Sequence, residues 1–350
     1  MKGLLKHISP LAPDDSGACS VLYELGGIVV ICDAGGCAGN VCGFDEPRWH
    51  EKRSALFSAG LRDMDAILGR DDKLVEKLVK AAEQVGGEFK GFTAIVGTPV
   101  PAVIATDFHA LERMSERKTK LPCIAVDTDG TKLYDIGEQK AYMKLFERFA
   151  EDGHEVKPGL TGVLGATPLD TGLTRAEKIT AGLDGSCICF GMDSGLEAIR
   201  RAGECEKLFV ISPAGIKPAE YLNRRFGTPF EVGYPKGCLP EKVCQAAKEL
   251  NGKRVLIVHQ QFAANALREL ISGCGMSNVH SVDCATWFMF DKRFARENDF
   301  RITDESVFAE KIEEHGYDVI IADSDLKRAV KSFEGEFIDF PHYAVSARLN

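Results

Sequence analysis

Residues 16–49 read SGACSVLYELGGIVVICDAGGCAGNVCGFDEPRW, and this stretch decides which fold the chain adopts. Its near-continuous apolar run, residues 27–32, predicts a buried strand of a parallel sheet, because a strand covered on both faces shows no polar alternation. We predict that Cys19 precedes a helical segment and that Cys37 lies in the loop after the strand. Since open α/β sheets bind ligands at the carboxyl ends of their strands, Cys37 lies where a binding site is expected.

Outside this stretch, short β-branched runs alternate with amphipathic helical patterns, as is typical of βαβ units. Polar segments that contain proline and glycine interrupt the alternation at residues 151–159 and 235–237. We therefore predict an α/β fold of three small, doubly wound parallel-sheet (Rossmann-like) domains. The predicted domains comprise residues 1–152, 153–236 and 237–350.

The composition of the 350 residues is that of an ordinary globular protein, with 45% hydrophobic and 27% charged side chains. The net charge of −9 argues against a nucleic-acid-binding surface, since the neutralisation of phosphates requires clustered lysine and arginine. No apolar run approaches the roughly 18–20 residues that span a bilayer, and the first residues are too polar for a secretory signal. We therefore expect no membrane insertion and a cytoplasmic location.

The chain contains 12 cysteines, which in a cytoplasmic protein are more often ligands, redox thiols or small core residues than a disulfide framework. Their spacing matches neither a ferredoxin run nor a zinc ribbon. The glycines around Cys37 would let the backbone approach a bulky ligand closely. From the residues alone, metal ligation and simple burial of these cysteines are both open.

Residues 16–49 resemble the N-terminal cluster-binding segment of nitrogenase component 1 proteins. In that family one cysteine precedes a helix and a strand, and a second lies in a Gly-Cys turn after the strand; Cys19 and the pair Gly36-Cys37 correspond to them. The likeness continues more loosely through three later segments, residues 92–107, 207–234 and 254–270. It implies a nitrogenase component 1-like fold and an iron–sulfur cluster, with ATP used only by a separate, iron-protein-like partner reductase. The sequence contains no Walker A motif, which agrees with that division of labour.

The sequence also departs from the family. A third cluster cysteine is expected near residues 97–99 and is missing, and so is the cysteine that holds the molybdenum cofactor, expected near Ser212. We therefore expect neither a molybdenum cofactor nor the reduction of dinitrogen. Two cysteines per chain cannot complete a four-thiolate cluster, but a symmetric homodimer could supply Cys19 and Cys37 from each subunit to a [4Fe–4S] or larger cluster. Cys42 and Cys32 are further candidate ligands, with simple packing beside the site as the alternative.

Other residues have both a functional and a structural interpretation. His259 follows a predicted third-domain strand, where it could donate a proton to a substrate or merely bond to the end of the strand. By the same resemblance, His342 roughly matches the region in which molybdenum nitrogenases carry a cofactor histidine. Cys187 and Cys189 point to one face of a strand and could bind metal or belong to the core.

Arg48 and Trp49, of the types favoured in interfaces, could contact the partner reductase or the second subunit, or else lie in a solvated loop.

Three functions follow from these expectations. The leading hypothesis is a nitrogenase-like iron–sulfur oxidoreductase component that accepts electrons from the partner reductase and reduces an unidentified small molecule. The alternative is a non-catalytic scaffold or carrier for a metal cluster or a tetrapyrrole-like ligand. A binder of small ligands with incidental cysteines is the third.

Overall fold

A computed structural model describes residues 5–273 and 278–349 of the chain. It contains three separate sheets, and every strand in them pairs in parallel with its neighbours. The predicted α/β fold with three doubly wound parallel sheets is therefore confirmed. Among the described residues, no helix combines the length and the apolar character that crossing a membrane requires.

The first sheet has the strand order β2-β1-β3-β4. Its central strand β1 is buried along its whole length, which explains why the sequence shows an unbroken apolar run there. The strands are β1 (Ile28–Ile31), β2 (Ala55–Ser58), β3 (Thr93–Val96) and β4 (Cys123–Val126). The helices are α1 (Asp14–Leu22), α2 (Gly36–Asn40), α3 (Asp63–Leu68), α4 (Asp71–Gln84), α5 (Pro99–Val103), α6 (Phe108–Thr119) and α7 (Tyr134–Phe149). A π-helix, Val41–Asp45, follows α2.

The second sheet repeats this plan with the order β6-β5-β7-β8. Its strands are β5 (Lys157–Leu164), β6 (Ser186–Cys189), β7 (Cys205–Val210) and β8 (Phe230–Val232). The helices are α8 (Pro168–Thr171), α9 (Ala176–Thr180), α10 (Leu196–Arg200) and α11 (Ile216–Phe226).

The third sheet has five strands in the order β11-β10-β9-β12-β13. They are β9 (Arg254–Val258), β10 (Ser281–Thr286), β11 (Phe300–Arg301), β12 (Val319–Ala322) and β13 (Glu336–Asp339). The helices are α12 (Glu241–Ala246), α13 (Gln261–Gly273), α14 (Glu305–His315) and α15 (Tyr343–Ser346). The domain limits proposed from the sequence fall between the sheets, although Ile8 and Leu11 near the amino end pack into the core beneath the third sheet.

Each sheet reverses its strand order once, and ligands of doubly wound folds bind at such switch points, outside the carboxyl ends of the strands. The reversal lies between β1 and β3 in the first sheet, between β5 and β7 in the second, and between β9 and β12 in the third. These three edges are the places at which the fold itself positions a site.

Helices α1 and α7 cross in unusually close contact. A Cβ added at Gly17 would lie 1.9 Å from the Tyr134 carbonyl oxygen, and one added at Gly137 would lie 1.7 Å from that of Asp14. Both distances are far below van der Waals contact, so each helix presents a glycine to the backbone of the other. The crossing therefore depends on two residues without side chains.

Candidate functional site

The first candidate is the cysteine edge, by which we mean Cys19, Cys37 and Cys42 beside the carboxyl end of the first sheet. Cys37 lies in α2, which follows β1 and a left-handed Gly35 (φ 112°). Thr98, which follows β3, lies near the Cys37 thiol. Because β1 and β3 flank the reversal of strand order, Cys37 lies at the switch point of the first sheet.

Cys19 lies inside α1, so the prediction that it precedes a helix is wrong. It is fully buried and packs into the same apolar core that Cys37 and Cys42 contact. Cys32 packs into a different core, on the other face of the first sheet. Its side chain is therefore a small core residue, the alternative that the sequence left open.

Asp33 fixes the loop that carries Cys37. Its Oδ2 accepts a hydrogen bond from the backbone N–H of Ala38 at 2.8 Å, and its Oδ1 accepts one from the hydroxyl of Ser58 at 2.6 Å. A Cβ added at Gly36 would meet no atom within 4 Å, and the same is true of Gly35, Gly39 and Gly43. The loop is thus held at its base and leaves room for a bulky group beside the cysteines.

Acidic side chains surround the three thiols. Burial raises the pKa of the Cys19 thiol well above its usual value, and the charges of Asp15 and Glu46 add to this effect. Burial also raises the pKa of the Asp15 carboxyl to about 7, and its Oδ1 has no hydrogen-bond partner. In such surroundings a thiol ionises readily only when a cation takes the place of its proton.

This donor set fits a metal cluster in its chemistry, since it combines soft sulfur ligands with open space beside them. On one chain, however, no three Cys, His, Asp or Glu side chains within the described residues lie close enough together to hold a metal ion. The described cysteines are free thiols. Ligation by Cys19, Cys37 and Cys42 stays a prediction.

The segment after the cysteine edge is partly buried. Arg48 is 4% exposed; its guanidinium donates to both Glu46 oxygens at 2.7 Å and to a Glu24 oxygen at 3.0 Å. It also donates to the Gly191 carbonyl, in the second predicted domain, at 3.1 Å. Arg48 therefore links the first and second predicted domains and is not free to contact a partner, whereas Trp49 is exposed.

The second candidate is the histidine junction, by which we mean His259, His342, Asp170, Ser212, Tyr134 and Glu138, where the three predicted domains meet. The rings of His259 and His342 stack with centroids 4.1 Å apart, and both side chains are buried. His259 Nε2 lies 3.2 Å from the Pro341 carbonyl oxygen. Burial lowers the pKa of His259 well below its usual value and that of His342 to about 4, so both rings are neutral at pH 7. The proton-donor function of His259 stays a prediction.

Asp170 is the centre of this junction. Its Oδ1 accepts a hydrogen bond from the Tyr134 hydroxyl at 2.5 Å and lies 3.7 Å from His342 Nε2, and Ser212 lies beside it. Burial raises the pKa of Asp170 to about 7 and that of Glu138 well above its usual value. Several buried polar atoms lack partners here: Glu138 Oε2, Asp170 Oδ2, Ser212 Oγ, His259 Nδ1 and His342 Nδ1.

The residues at the junction do not fit a molybdenum cofactor. Ser212, where the resemblance places a cofactor cysteine, offers a hydroxyl instead of a thiolate, and it faces Asp170. His342 is close to Asp170 and to the Tyr134 hydroxyl, which lies 3.3 Å from its Nε2. At this position Tyr134 contacts both Asp170 and His342 within the chain.

The sequence reasoning did not identify Asp33, Tyr134, Glu138 or Asp170. Asp33 could have been predicted, because a carboxylate that directly follows a buried strand lies at the ligand-binding edge of the sheet. The other three are distant in sequence from the histidines that they approach, and no local pattern marks them. Among the remaining candidates, Cys189 is buried in the core and Cys187 is half-buried on the outer strand β6.

Comparisons with known proteins agree with this architecture. The chain matches the family described as "Nitrogenase component 1 type Oxidoreductase" over residues 16–240. Its fold is similar to that of a solved structure titled "Nitrogenase Cp1 at pH 6.5", with a TM-score of 0.72 and 11% identity over 98% of this chain and 90% of the other. A second structure, "Nitrogenase Cp1 at pH 5", gives a TM-score of 0.69 and 14% identity over 98% and 86% of the two chains.

No curated protein matches the chain significantly. The family match extends over more than half of the sequence and includes the whole cysteine edge. The chain therefore belongs to the nitrogenase component 1 type oxidoreductase family.

Proposed function

We propose that this protein is a nitrogenase-like iron–sulfur oxidoreductase component. It works as a homodimer in which Cys19 and Cys37 of both subunits hold the cluster, with Cys42 as an additional ligand. Electrons come from an iron-protein-like, ATP-dependent reductase and pass to a small, unsaturated substrate in the cytoplasm. The proposal rests above all on one observation, the position of Cys37 in an open glycine loop at the switch point of the first sheet.

The surroundings of the cysteines support a ligand role for them. Cys37 and Cys42 are half-buried, whereas most cysteines elsewhere in the described chain are buried among apolar residues. A Cβ would be free of contacts at the glycines beside them, so the backbone can approach a bulky inorganic group. When bound, an iron–sulfur cluster supplies reversible one-electron storage at low potential. The chain contributes the thiols, the loop held by Asp33 and the buried Cys19.

Exposed apolar side chains support a second copy of the chain as the partner at this edge. Phe44 is 64% exposed and lies in the same π-helix as Cys42. Val103 is 84% exposed and ends α5, the helix that begins directly after Thr98. Large apolar residues exposed close to an incomplete ligand set favour a subunit interface there, because association would bury them and bring the missing ligands.

Anaerobic purification followed by iron and sulfide quantification tests this function. We expect a brown dimer with about four irons for each pair of chains, or more for a larger cluster. Cys37→Ala should remove nearly all of the iron, since one substitution takes two ligands from a symmetric site. The matched control is Cys244→Ala, which changes a half-buried cysteine in the third predicted domain and should keep the full iron content.

A colourless wild-type protein without iron, prepared under the same conditions, would refute the cluster assignment. Equal iron loss in Cys37→Ala and Cys244→Ala would refute the assignment of Cys37.

The histidine junction favours a second candidate function, that of a non-catalytic scaffold for a metal cluster or a tetrapyrrole-like ligand. Its polar side chains are buried, and Tyr134 bonds to Asp170 and His342, so they present no open substrate site there. Single-turnover experiments with an iron-protein-like reductase and ATP distinguish the two functions. An oxidoreductase component accepts electrons only when ATP is present, whereas a scaffold keeps its bound group without such turnover.

A further inference from the structure

A cleft separates the second and third sheets on a part of the molecule that neither candidate site uses. Its volume is about 660 Å³, which is within the range of pockets that enclose small organic ligands. One wall comes from β7, β8 and the residues after β8, and the other comes from α13 and residues 293–296. Pockets at the boundary between two domains are frequent ligand sites, because both walls can contribute recognition groups.

Aromatic rings line both walls. Phe209 and Tyr234 belong to the second sheet and its following loop, and Phe262 and Phe294 belong to the third predicted domain. The rings of Phe262 and Phe294 pack edge to face with centroids 5.4 Å apart. The Phe262 ring therefore fixes the orientation of the Phe294 ring. Aromatic surfaces on two sides of a cleft favour a flat, apolar guest, because rings gain from offset stacking and edge contacts beyond simple burial.

Basic residues outnumber acidic residues in the lining of the same cleft, although the whole chain carries a net charge of −9. Four basic residues line it against a single acidic one: Lys236, Arg268, Arg293 and Arg296 against Glu269. Among the described residues, neither Lys236 nor Arg296 forms an ion pair, whereas Arg293 is paired with Asp291 and Glu220. The two unpaired cations are available to an anionic ligand.

Arg268 adds an independent observation. Its side chain is only 3% exposed and is bonded to Asp299 at 2.6 Å, yet its Nε has no hydrogen-bond partner. A buried donor without a partner is costly, and such groups are commonly satisfied by a ligand or an ordered water. The cleft wall thus contains a buried arginine whose Nε is a donor without a partner.

We propose that this cleft binds a planar aromatic anion, such as an aromatic carboxylate. The rings of Phe209 and Phe294 hold its flat body, with the buried Phe262 packed behind Phe294, and Arg296 and Lys236 bind its anionic group. The proposal does not depend on the cysteine edge, because neither wall contains a cysteine-edge residue. Its failure would leave the iron–sulfur assignment intact, and the converse also holds.

Isothermal titration calorimetry on the full-length chain, prepared anaerobically, tests the site with three probes. We expect 2-naphthoate to bind at one equivalent and more tightly than either control compound. Cyclohexanecarboxylate carries the charge without the flat rings, and 2-naphthylmethanol carries the rings without the charge. Equal affinity for 2-naphthoate and either control, or no 2-naphthoate binding at millimolar concentration, would overturn the proposal.

Two substitutions separate the contributions. Arg296→Gln should weaken 2-naphthoate binding roughly tenfold and leave 2-naphthylmethanol unaffected, since it removes only a charge-assisted contact. Phe294→Leu keeps an apolar side chain and should weaken both aromatic probes about threefold. The matched control is Arg113→Gln, an exposed arginine on α6, which should change nothing. Unchanged 2-naphthoate affinity in Arg296→Gln, or an equal loss in Arg113→Gln, would contradict the site.

Discussion

The cysteine edge and the histidine junction occupy the same kind of position in the fold, but the first is partly open and the second is buried. Both lie outside the carboxyl ends of parallel strands, at points where the strand order reverses, and both contain buried carboxyl groups. At the cysteine edge, glycines leave open space and Cys37 and Cys42 are partly exposed. At the histidine junction, side chains from three predicted domains close over one another. A doubly wound sheet thus supplies a potential site, and the packing of its neighbours decides whether the site stays open.

The two regions also differ in how they balance acidic groups. Near the cysteine edge, Arg48 neutralises Glu46 and Glu24 in a buried ion-pair cluster. In the described chain, neither Asp170 nor Glu138 at the junction pairs with an arginine or a lysine, so burial raises the pKa of both carboxyls. We expect the cysteine edge to depend on ionised pairs and the junction on neutral hydrogen bonds.

The largest effect on stability is expected from Arg48→Ala. This change leaves Glu46 and Glu24 buried without their cation and should lower the free energy of unfolding by about 3–5 kcal/mol. Urea unfolding monitored by circular dichroism measures it. The control is Arg53→Ala, whose pair with Glu88 is exposed and should cost less than about 0.5 kcal/mol. Similar losses in both variants would show that the cysteine edge is not held by buried charge.

A smaller effect is expected at the junction from Tyr134→Phe. It removes only the hydroxyl that donates to Asp170, which leaves a buried acceptor with one bond fewer and should cost about 1–3 kcal/mol. Tyr221→Phe is the control, because its hydroxyl lies near the surface beside Arg225. The same urea titration measures both variants, and a Tyr134→Phe loss no greater than that of Tyr221→Phe would contradict the hydrogen-bonded junction.

The junction should also make stability depend on pH. Because the pKa of Asp170 is raised to about 7, the folded chain keeps this proton over a pH range in which the unfolded chain, with a pKa near 3.8, has released it. The Asp170 contribution to stability is therefore present at low pH and is lost as the pH rises towards 7.

Asp170→Asn removes this titration and keeps an acceptor for Tyr134. Between pH 5 and pH 7, wild type should lose stability relative to Asp170→Asn by on the order of 1 kcal/mol. Unfolding midpoints at the two pH values provide the measurement. A difference that is constant, or that moves the other way, would mean that Asp170 is ionised in the folded chain.

The smallest effect on unfolding is expected from Phe44→Ala. An exposed side chain contributes little to the fold, so the change should cost less than about 0.5 kcal/mol in the isolated chain. It should nevertheless weaken dimer formation at least tenfold in sedimentation equilibrium, if the cysteine edge is the subunit interface. Val156→Ala, which alters an exposed apolar residue of the second predicted domain, should leave the dimer unchanged. An unaltered dimer in Phe44→Ala would place the interface elsewhere.

The sequence was informative wherever the structure follows a local rule. The apolar run of β1 indicated a parallel sheet, because a strand buried on both faces has an uninterrupted apolar sequence. It also placed Cys37 at the carboxyl end of that sheet. The position of Cys19 was predicted wrongly for a related reason. All nine residues of α1 are buried, so no polar face and no helical periodicity mark where this helix begins.

The histidine junction could not be predicted in the same way. His259 and His342 were recognisable as strand-end histidines, but their neighbours Tyr134 and Asp170 come from other predicted domains. Their approach depends on how the domains pack, which hydrophobic periodicity does not encode. The open or closed state of each edge is likewise a property of tertiary packing.

The crossing of α1 and α7 makes Gly17 and Gly137 a matched pair, although they are far apart along the chain. A methyl group at either position would collide with a carbonyl of the opposite helix, so a homologue that retains this crossing must have glycine at both sites. A homologue with a larger residue at one of them must have separated the helices, and Cys19 would move away from the first sheet with α1. The two glycines therefore serve as a diagnostic for recognising, among distant sequences, those that keep this geometry around the cysteines.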